Sequence, residues 1–271
     1  MRTKVAVVQM TSTDDVETNL RAAERCVHLA ADDRASLVVL PECFAFLGPE
    51  NGKLEIAEAL PEGGPILERM KKLAKERSVE LVLGGFWERG SSGTHKVKNA
   101  CVHVDAGGEV RAVYRKIHLF DVDLPDGTKL MESETVEPGA DVVVTDAPFG
   151  KLGLSVCYDL RFPELYRRLT DGGAIALAIP AAFTATTGKD HWHVLLRARA
   201  IEAQCYVLAA AQTGHHFGKR YSYGHALIVD PWGVVLAEAP EGEGVASAWL
   251  DPESVERVRA ALPSLRHQRL R

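Results

Sequence analysis

The sequence has 271 residues, of which 46% are hydrophobic and 25% are charged, and its formal net charge is −5. These values are typical of a globular protein in water, and we interpret residues 1–271 as a single domain. They argue against nucleic acid or an anionic membrane surface as the main partner, and no uncharged stretch approaches the roughly 20 residues that a membrane helix needs.

Apolar runs taken in chain order predict ten β-strands. They cover residues 4–10, 36–41, 80–87, 99–105, 109–117, 151–157, 174–180, 205–212, 224–230 and 245–251. Most runs are apolar throughout rather than alternating with polar residues, so we expect strands that are buried on both faces. Amphipathic stretches between them predict helices over residues 19–31, 65–76, 163–169, 191–204 and 252–262. Three of these begin with proline, which suits the first helical position.

The connections indicate how the elements are arranged. The pieces SSG (91–93), AGG (106–108) and DPWG (230–233) are typical of hairpin turns. Hairpins mixed with strand–helix–strand units predict a mixed sheet or a pair of sheets covered by helices. Residues 119–141 form a long irregular segment, and loops of that length are usually functional.

The five cysteines are scattered and form no Cys-x-x-Cys pair. A disulfide framework or zinc knuckle is therefore not expected, and a reducing compartment suits them best. The apolar run in MRTKVAVVQM is too short for a signal peptide. We therefore expect a cytoplasmic protein.

Three strand ends carry reactive groups. Cys157 closes the run KLGLSVC, Glu42 follows LVVLP, and Lys116 lies at the end of AVYRK. Because ligands gather at the carboxyl ends of strands in open α/β sheets, we expect these three side chains to meet. The helix predicted after Cys157 would lower the thiol pKa from about 8.5 toward about 3.5–7.5. A buried structural cysteine is the alternative interpretation.

A thiol, a carboxylate and an ammonium can together cleave a carbonyl compound. The carboxylate would take the thiol proton and later activate water, while the sulfur forms a thioester. The ammonium would hold the negative charge that develops on the substrate oxygen, and losing one such donor typically costs about 2.7–4 kcal/mol of barrier.

The pieces LPECF, YRKIHLFDVD and GLSVCYDLRFPELYR resemble the nitrilase, or carbon–nitrogen hydrolase, superfamily over nearly the whole chain. The resemblance implies a four-layer αββα sandwich that pairs into an eight-layer homodimer, with residues 252–271 near the interface. It implies that Glu42 is the general base, Lys116 the oxyanion stabiliser and Cys157 the nucleophile, with no metal or cofactor. It also implies that Glu132 in MESETVEPG bonds the lysine and positions substrate, whereas Glu134 is the weaker candidate.

The segments IPAAFTATTGKDHWHVLLRARAIEAQCYVLAAAQTG and SYGHALIVDPWG resemble the branch that contains deaminated glutathione amidase and ω-amidase. The resemblance implies hydrolysis of a small anionic amide, deaminated glutathione being favoured over α-ketoglutaramate, with other amidase and carbamoylase activities as alternatives. Four further residues are implied to contact substrate: Tyr158, Arg161, Phe183 and Thr187. Arg161 could bind a carboxylate through its fork of N–H groups or pair with Asp159 or Glu164.

Several alternatives stay open at this point. Lys219 and Arg220 form a basic pair in the loop of residues 214–224, which could bind a larger anion or be a solvated turn. His191 and His193 could indicate a metal-dependent amidohydrolase, although residues two apart on a helix do not face each other. A non-catalytic scaffold is a third possibility, which the set of Glu42, Lys116 and Cys157 disfavours.

Overall fold

Two β-sheets form the centre of the molecule, which is described in a computed structural model over residues 2–123 and 129–269. The strands are β1 Thr3–Met10, β2 Leu37–Leu40, β3 Glu80–Arg89, β4 Val97–Val104, β5 Val110–Arg115, β6 Asp121–Asp123, β7 Lys129–Met131, β8 Val144–Ala147, β9 Gly150–Leu154, β10 Ala176–Ala178, β11 Tyr206–Ala209, β12 Ala211–Phe217, β13 Arg220–Tyr223, β14 Leu227–Val229, β15 Val235–Glu238 and β16 Gly244–Leu250. The helices are α1 Val16–Asp32, α2 Gly52–Ile56, α3 Pro65–Arg77, α4 Pro163–Asp171, α5 Ala185–Ala203 and α6 Pro252–Ala261. Short 3₁₀ helices cover Glu132–Glu134, Cys157–Arg161 and Ser264–Arg266.

The first sheet has the strand order β13-β12-β1-β2-β3-β4-β5, and β16 also pairs with β1. Strands β1, β2 and β3 are parallel, whereas β4 and β5 follow as antiparallel hairpins. Strand β5 therefore runs in the same direction as β2, so the carboxyl ends of both strands lie at the same edge. The second sheet has the order β15-β14-β11-β10-β9-β8, with β9, β10 and β11 parallel.

The two faces of the first sheet contact different layers. In β1, Val5 and Val7 belong to a cluster with Leu152, Leu154 and other residues of the second sheet. The intervening Ala6 and Val8 pack with the apolar faces of α1 and α3 instead. Because side chains of a strand alternate between faces, this division places one core between the sheets and another under the first helical layer. Helices α4 and α5 cover the outer face of the second sheet. The fold is therefore the expected four-layer αββα sandwich.

The predicted elements are found, with shifted ends. The three hairpin turns join β3 to β4, β4 to β5 and β14 to β15, as predicted. The run predicted as one strand over 205–212 is two strands, β11 and β12, that lie in different sheets. The segment 119–141 is not entirely irregular, because β6 and β7 form a small antiparallel pair within it. Residues 124–128 of that segment lie outside the described residues. Within the described ranges, none of the helices is both long and apolar enough to cross a membrane.

Two consecutive glycines let β3 approach the end of β2. The pairing of β3 with β4 shifts register between Leu83 and Phe86, at Gly84 and Gly85. A Cβ atom on Gly84 would lie 2.2 Å from Cβ of Pro180, and one on Gly85 would lie 2.3 Å from the backbone nitrogen of Cys43. Gly85 also has a φ of +60°, a conformation that glycine adopts without steric cost. These glycines therefore allow the close packing that surrounds Glu42.

We expect Gly85→Ala to destabilise the protein more than Gly93→Ala does. Both glycines have positive φ, so both variants carry backbone strain, but no atom lies within 4 Å of a Cβ placed on Gly93. The difference in unfolding free energy between the two variants therefore measures the steric overlap at Gly85. In urea titrations Gly85→Ala should lose ~1–3 kcal/mol more than Gly93→Ala. Equal losses for the two variants would contradict this account.

Candidate active site

Glu42 lies just beyond the carboxyl end of β2, and its side chain is buried at 4% exposure. One carboxylate oxygen, Oε2, accepts the backbone N–H of Ala182 at 2.8 Å. The other, Oε1, accepts Asn99 Nδ2 at 2.9 Å and Lys116 Nζ at 3.1 Å. Every bond to this carboxylate therefore favours its ionised form.

Lys116 follows β5 directly, at the same edge of the sheet as Glu42, and is 2% exposed. Its backbone is held on both sides, because its N–H donates to Asn99 and its carbonyl accepts from Gly139. Its ammonium donates to Glu42 and also lies 2.8 and 3.1 Å from the two oxygens of Glu132. The ammonium is thus held between two carboxylates.

Glu132 begins the 3₁₀ helix at Glu132–Glu134. Besides Lys116, its carboxylate accepts the backbone N–H of Phe120 at 2.7 Å and Asn99 Nδ2 at 3.1 Å. Glu134 is exposed and lies outside this group. The structure therefore brings the favoured glutamate, and not its neighbour, to the lysine.

Asn99, which the sequence analysis did not single out, bridges the two carboxylates. It lies in β4 at 1% exposure, and its Nδ2 donates to both Glu42 and Glu132. A polar amide at the start of the predicted strand NACVHVD was the signal that could have identified it, since a buried amide needs hydrogen-bond partners.

Cys157 lies three residues beyond the end of β9, at the first position of the 3₁₀ helix Cys157–Arg161. Its φ is +48°, a strained conformation for a residue other than glycine. Its own N–H donates to the carbonyl of Pro180 at 2.9 Å, and the preceding N–H of Val156 donates to Asp159 at 2.9 Å. These bonds hold the backbone so that the thiol contacts Glu42 through a hydrogen bond.

The predicted fall in the thiol pKa is wrong. Burial and the negative charge of Glu42 raise the pKa of Cys157 well above its usual value, and the charge of Lys116 offsets only part of this. Burial would also raise the pKa of Glu42, but Lys116 and the hydrogen bonds from Cys157, Ala182 and Asn99 lower it overall. The physical reason is that burial disfavours the thiolate and that the charge of Glu42 adds to this effect. At rest the sulfur carries its proton and Glu42 is ionised.

Burial would lower the pKa of Lys116, but the charges of Glu132, Glu42 and Cys157 raise it well above its usual value. The lysine therefore stays a cation. An ionised base, a protonated thiol and a fixed ammonium are the protonation states that acyl transfer through sulfur needs.

Asp159 joins the lysine segment to the cysteine segment. It is fully buried and accepts Tyr114 Oη at 2.6 Å, and the backbone N–H and Nδ1 of His118 at 3.1 and 2.8 Å. Since Tyr114 and His118 lie on either side of Lys116 in sequence, this carboxylate fixes the position of the lysine relative to Cys157. His118 thus supports the site through Asp159.

The cleft above Cys157 has two lobes that share Phe120, Cys157 and Ala182. The large lobe has an empty volume of about 650 Å³, open solvent included, and contains Glu42, Lys116 and Glu132. The small lobe, about 210 Å³ by the same measure, is lined by all four residues predicted to contact substrate, which are Tyr158, Arg161, Phe183 and Thr187.

Arg161 lies in the small lobe over the ring of Phe183, 4.9 Å from its centre. It does not pair with Asp159, which is bonded to Tyr114 and His118, and its Nη1 lies 3.3 Å from Nδ1 of His191 instead. This placement leaves the guanidinium beside the space next to Cys157, where it can meet a carboxylate.

The two side chains of the basic pair at 219–220 lie in different places, one in solvent and one in the cleft. Lys219 is exposed, whereas Arg220 is partly buried and lines the large lobe. Lys53 of α2 and Glu50, which the sequence analysis passed over, line the same lobe.

His191 and His193 contact different groups. His191 lies by Arg161, while Nε2 of His193 lies 3.2 Å from Glu238, whose carboxylate also bonds His225. Donor atoms of His193, His225 and Glu238 all lie within 4.8 Å of one another, but these residues do not line either lobe around Cys157. The His191–His193 pair is therefore not a metal centre for amide cleavage, and a metal-dependent mechanism has no support from it.

Comparison with known proteins agrees with this geometry. The sequence profile of the family described as carbon-nitrogen hydrolase matches residues 4–260. The chain is 48% identical over 265 residues to a deaminated glutathione amidase of Synechocystis sp. (strain PCC 6803 / GT-S), covering 97% of each chain. It is 46% identical over 269 residues to the deaminated glutathione amidase of Homo sapiens, covering 98% of this chain and 82% of the human one.

Among solved structures, the NitFhit protein of C. elegans aligns with a TM-score of 0.92 and 42% identity. The alignment covers 99% of this chain, which spans only 65% of the length of that protein. The resemblance inferred from the sequence motifs is thus confirmed, and the chain belongs to the carbon–nitrogen hydrolase family.

Proposed function

We propose that the protein hydrolyses deaminated glutathione to α-ketoglutarate and cysteinylglycine through a thioester at Cys157. The observation that carries the proposal is the contact of Glu42 with both Cys157 and Lys116 at the point where the two lobes of the cleft join. The names of relatives at 46–48% identity support the choice of substrate. ω-Amidase activity on α-ketoglutaramate is the alternative that the first experiment tests.

In the acylation step the sulfur of Cys157 attacks the amide carbon, and its proton passes to Glu42. The electron pair of the carbonyl bond moves to oxygen, where Lys116 and the backbone N–H of Tyr158 stabilise the negative charge. The lysine ammonium has three N–H bonds and makes three contacts, one to Glu42 and two to Glu132, so one N–H turns from Glu132 to this oxygen when the substrate binds. The intermediate collapses as Glu42 returns the proton to the departing nitrogen, which releases the amine and leaves the thioester.

In the deacylation step Glu42 takes a proton from water as the water oxygen attacks the thioester carbon. The second tetrahedral intermediate is stabilised by the same donors, and its collapse breaks the carbon–sulfur bond and returns the proton to sulfur. The carboxylic acid product leaves, and the thiol and carboxylate are restored. Because Glu42 begins and ends each step ionised, its lowered pKa suits the role of base.

The small lobe is the proposed site of the acyl part of the substrate. There Arg161 would bind the α-keto carboxylate through two N–H groups, beside Phe183 and Thr187. The guanidinium of Arg161 packs over the ring of Phe183, which holds it in place.

We further propose a homodimer in the cytoplasm. Val194 and Ile201, on one face of α5, and the neighbouring Trp232 are 66%, 48% and 59% exposed. Exposed apolar patches of this kind are typical of interfaces, here with a second copy of the chain.

Buried cysteines that form no disulfide at all five positions support a reducing compartment. The C-terminal segment also packs on its own chain, since Gln204 donates to the carbonyl of Leu262.

We expect kcat/KM to be clearly higher for deaminated glutathione than for α-ketoglutaramate, measured by α-ketoglutarate release at steady state. Cys157→Ser should abolish both activities, because the serine hydroxyl is a far weaker acid and the buried site offers no stronger base. A higher kcat/KM for α-ketoglutaramate would reverse the assignment in favour of ω-amidase. Hydrolysis of neither compound would reject the proposed function.

Glu132→Gln should lower kcat by about 10- to 100-fold, less than the ~10²–10³ that follows removal of an oxyanion donor itself. The amide keeps an oxygen for Lys116 but removes the negative charge that helps to hold the ammonium. Glu134→Gln is the matched control, because Glu134 is exposed two residues away, and its kcat should be unchanged. Equal effects of the two variants would show that the lysine contact is dispensable.

The pH profile of kcat/KM should form a plateau from about pH 5 to about pH 9. Glu42 has a pKa below its ordinary 4.5, so activity is lost only as acid protonates it. The pKa of Cys157 lies well above its ordinary 9.0, so no rise follows formation of thiolate near neutral pH. Alkylation by iodoacetamide without substrate should accelerate only above that range. An ascending limb of kcat/KM between pH 7 and 9 would contradict the protonated resting thiol.

A further inference from the structure

The large lobe is lined by two cations, Lys53 and Arg220, that take no part in the chemistry at Cys157. Glu42, Lys116 and Glu132 place two carboxylates and one ammonium at the reaction centre. The other charged residues that line the lobe are one carboxylate, Glu50, and two cations, Lys53 and Arg220. Two cations against one carboxylate give this part of the lobe a formal charge of +1, which suits an anionic group of the substrate.

Lys53 is a buried cation with one carboxylate partner among the residues that the structure describes. The residue is 5% exposed, and its Nζ lies 4.9 Å from the centre of the Trp87 ring. Its ion-pair partner is Glu50, at 2.5 Å, whose side chain is 53% exposed and also accepts Thr135 Oγ1. Burying an ammonium is costly unless its partners satisfy it, and one half-exposed, shared carboxylate leaves room for a second anion.

Arg220 provides the second cation. It begins β13, and its Nε is buried with no hydrogen-bond partner in the part of the chain that the structure describes. Burial and Glu42 raise the pKa of the Cys43 thiol, and the charges of Arg220 and Lys53 oppose that rise. Both cations therefore lie near the residue that follows the catalytic base. A guanidinium with an unused donor matches the two oxygens of a carboxylate.

The two lobes place positive charge on both sides of Cys157. Arg161 lines the small lobe, and Lys53 and Arg220 line the large one. A substrate whose amide carbon lies at the sulfur would therefore find a cation toward its acyl end and cations toward its amine end. The larger lobe suits the larger amine part, since a dipeptide spans about 7 Å when extended.

We propose that Lys53 and Arg220 form a carboxylate-binding site for the amine part of the substrate. This inference rests on the proposed function, in which that carboxylate is the C-terminal glycine carboxylate of the cysteinylglycine moiety. The site would select amides whose departing amine carries a carboxylate, and it gives no advantage to a primary amide that releases ammonia.

The test compares two substrates that differ only in this carboxylate: deaminated glutathione, and its analogue with a C-terminal glycinamide. For the double variant Lys53→Met/Arg220→Met, the ratio of kcat/KM for the first to that for the second should fall by about 10- to 100-fold, as expected for loss of charged hydrogen bonds. Methionine at position 53 keeps an unbranched apolar side chain against Trp87. Arg220→Met alone, at a partly buried position, should also lower the ratio. Lys219→Met is the matched control, because Lys219 is exposed and outside the cleft, and its ratio should match that of the unaltered protein.

The ratio separates the two proposals. If the unaltered protein hydrolyses neither compound, the proposed function is wrong and this assignment fails with it. If the protein hydrolyses both and the double variant leaves the ratio unchanged, the proposed function stands and the carboxylate site is wrong. A fall in the ratio for the double and single variants, but not for Lys219→Met, supports the site.

Discussion

The site depends on one buried cation held between two carboxylates. Lys116 is 2% exposed, and its ammonium contacts both Glu42 and Glu132. Removing either carboxylate would leave a buried charge with fewer partners, which is strongly unfavourable. With both present, the group has a net charge of −1 beside Cys157. Burial and the negative charge of Glu42 keep the proton on sulfur, while the ammonium keeps Glu42 ionised, so this buried group of charges acts on the protonation state of both reacting groups.

The sandwich brings these groups together from both sheets. Glu42 and Lys116 come from strand ends at one edge of the first sheet, and Cys157 follows a strand of the second. Several contacts cross between them. The thiol of Cys157 and the N–H of Ala182 bind Glu42, and Asp159 binds groups on either side of Lys116. The relative position of sulfur, carboxylate and ammonium is therefore a property of the sheet packing, and it tolerates little movement of either sheet.

The sequence predicts the buried framework well because continuous apolar runs have few other structures available. It misses β8, β13 and β15, which are short and partly exposed, and the small pair β6 and β7. The acid, lysine and cysteine were predictable because each ends an apolar strand. The direction of the pKa shift of Cys157 was not, because it depends on burial in the folded chain and on a carboxylate more than one hundred positions away in sequence. Lys53 was missed for a related reason: a lysine in a five-residue helix is usually exposed, and only tertiary packing buries this one.

The protonated resting state of Cys157 also bears on chemical damage. Peroxides and electrophiles react with thiolates, and a sulfur that is buried and holds its proton is a poor target for them. The nucleophile forms only as Glu42 removes that proton during attack on a bound carbonyl. The enzyme thereby restricts a reactive sulfur to the moment when a substrate fills the cleft, and it needs no disulfide or other reversible cap to protect itself from oxidants between turnovers.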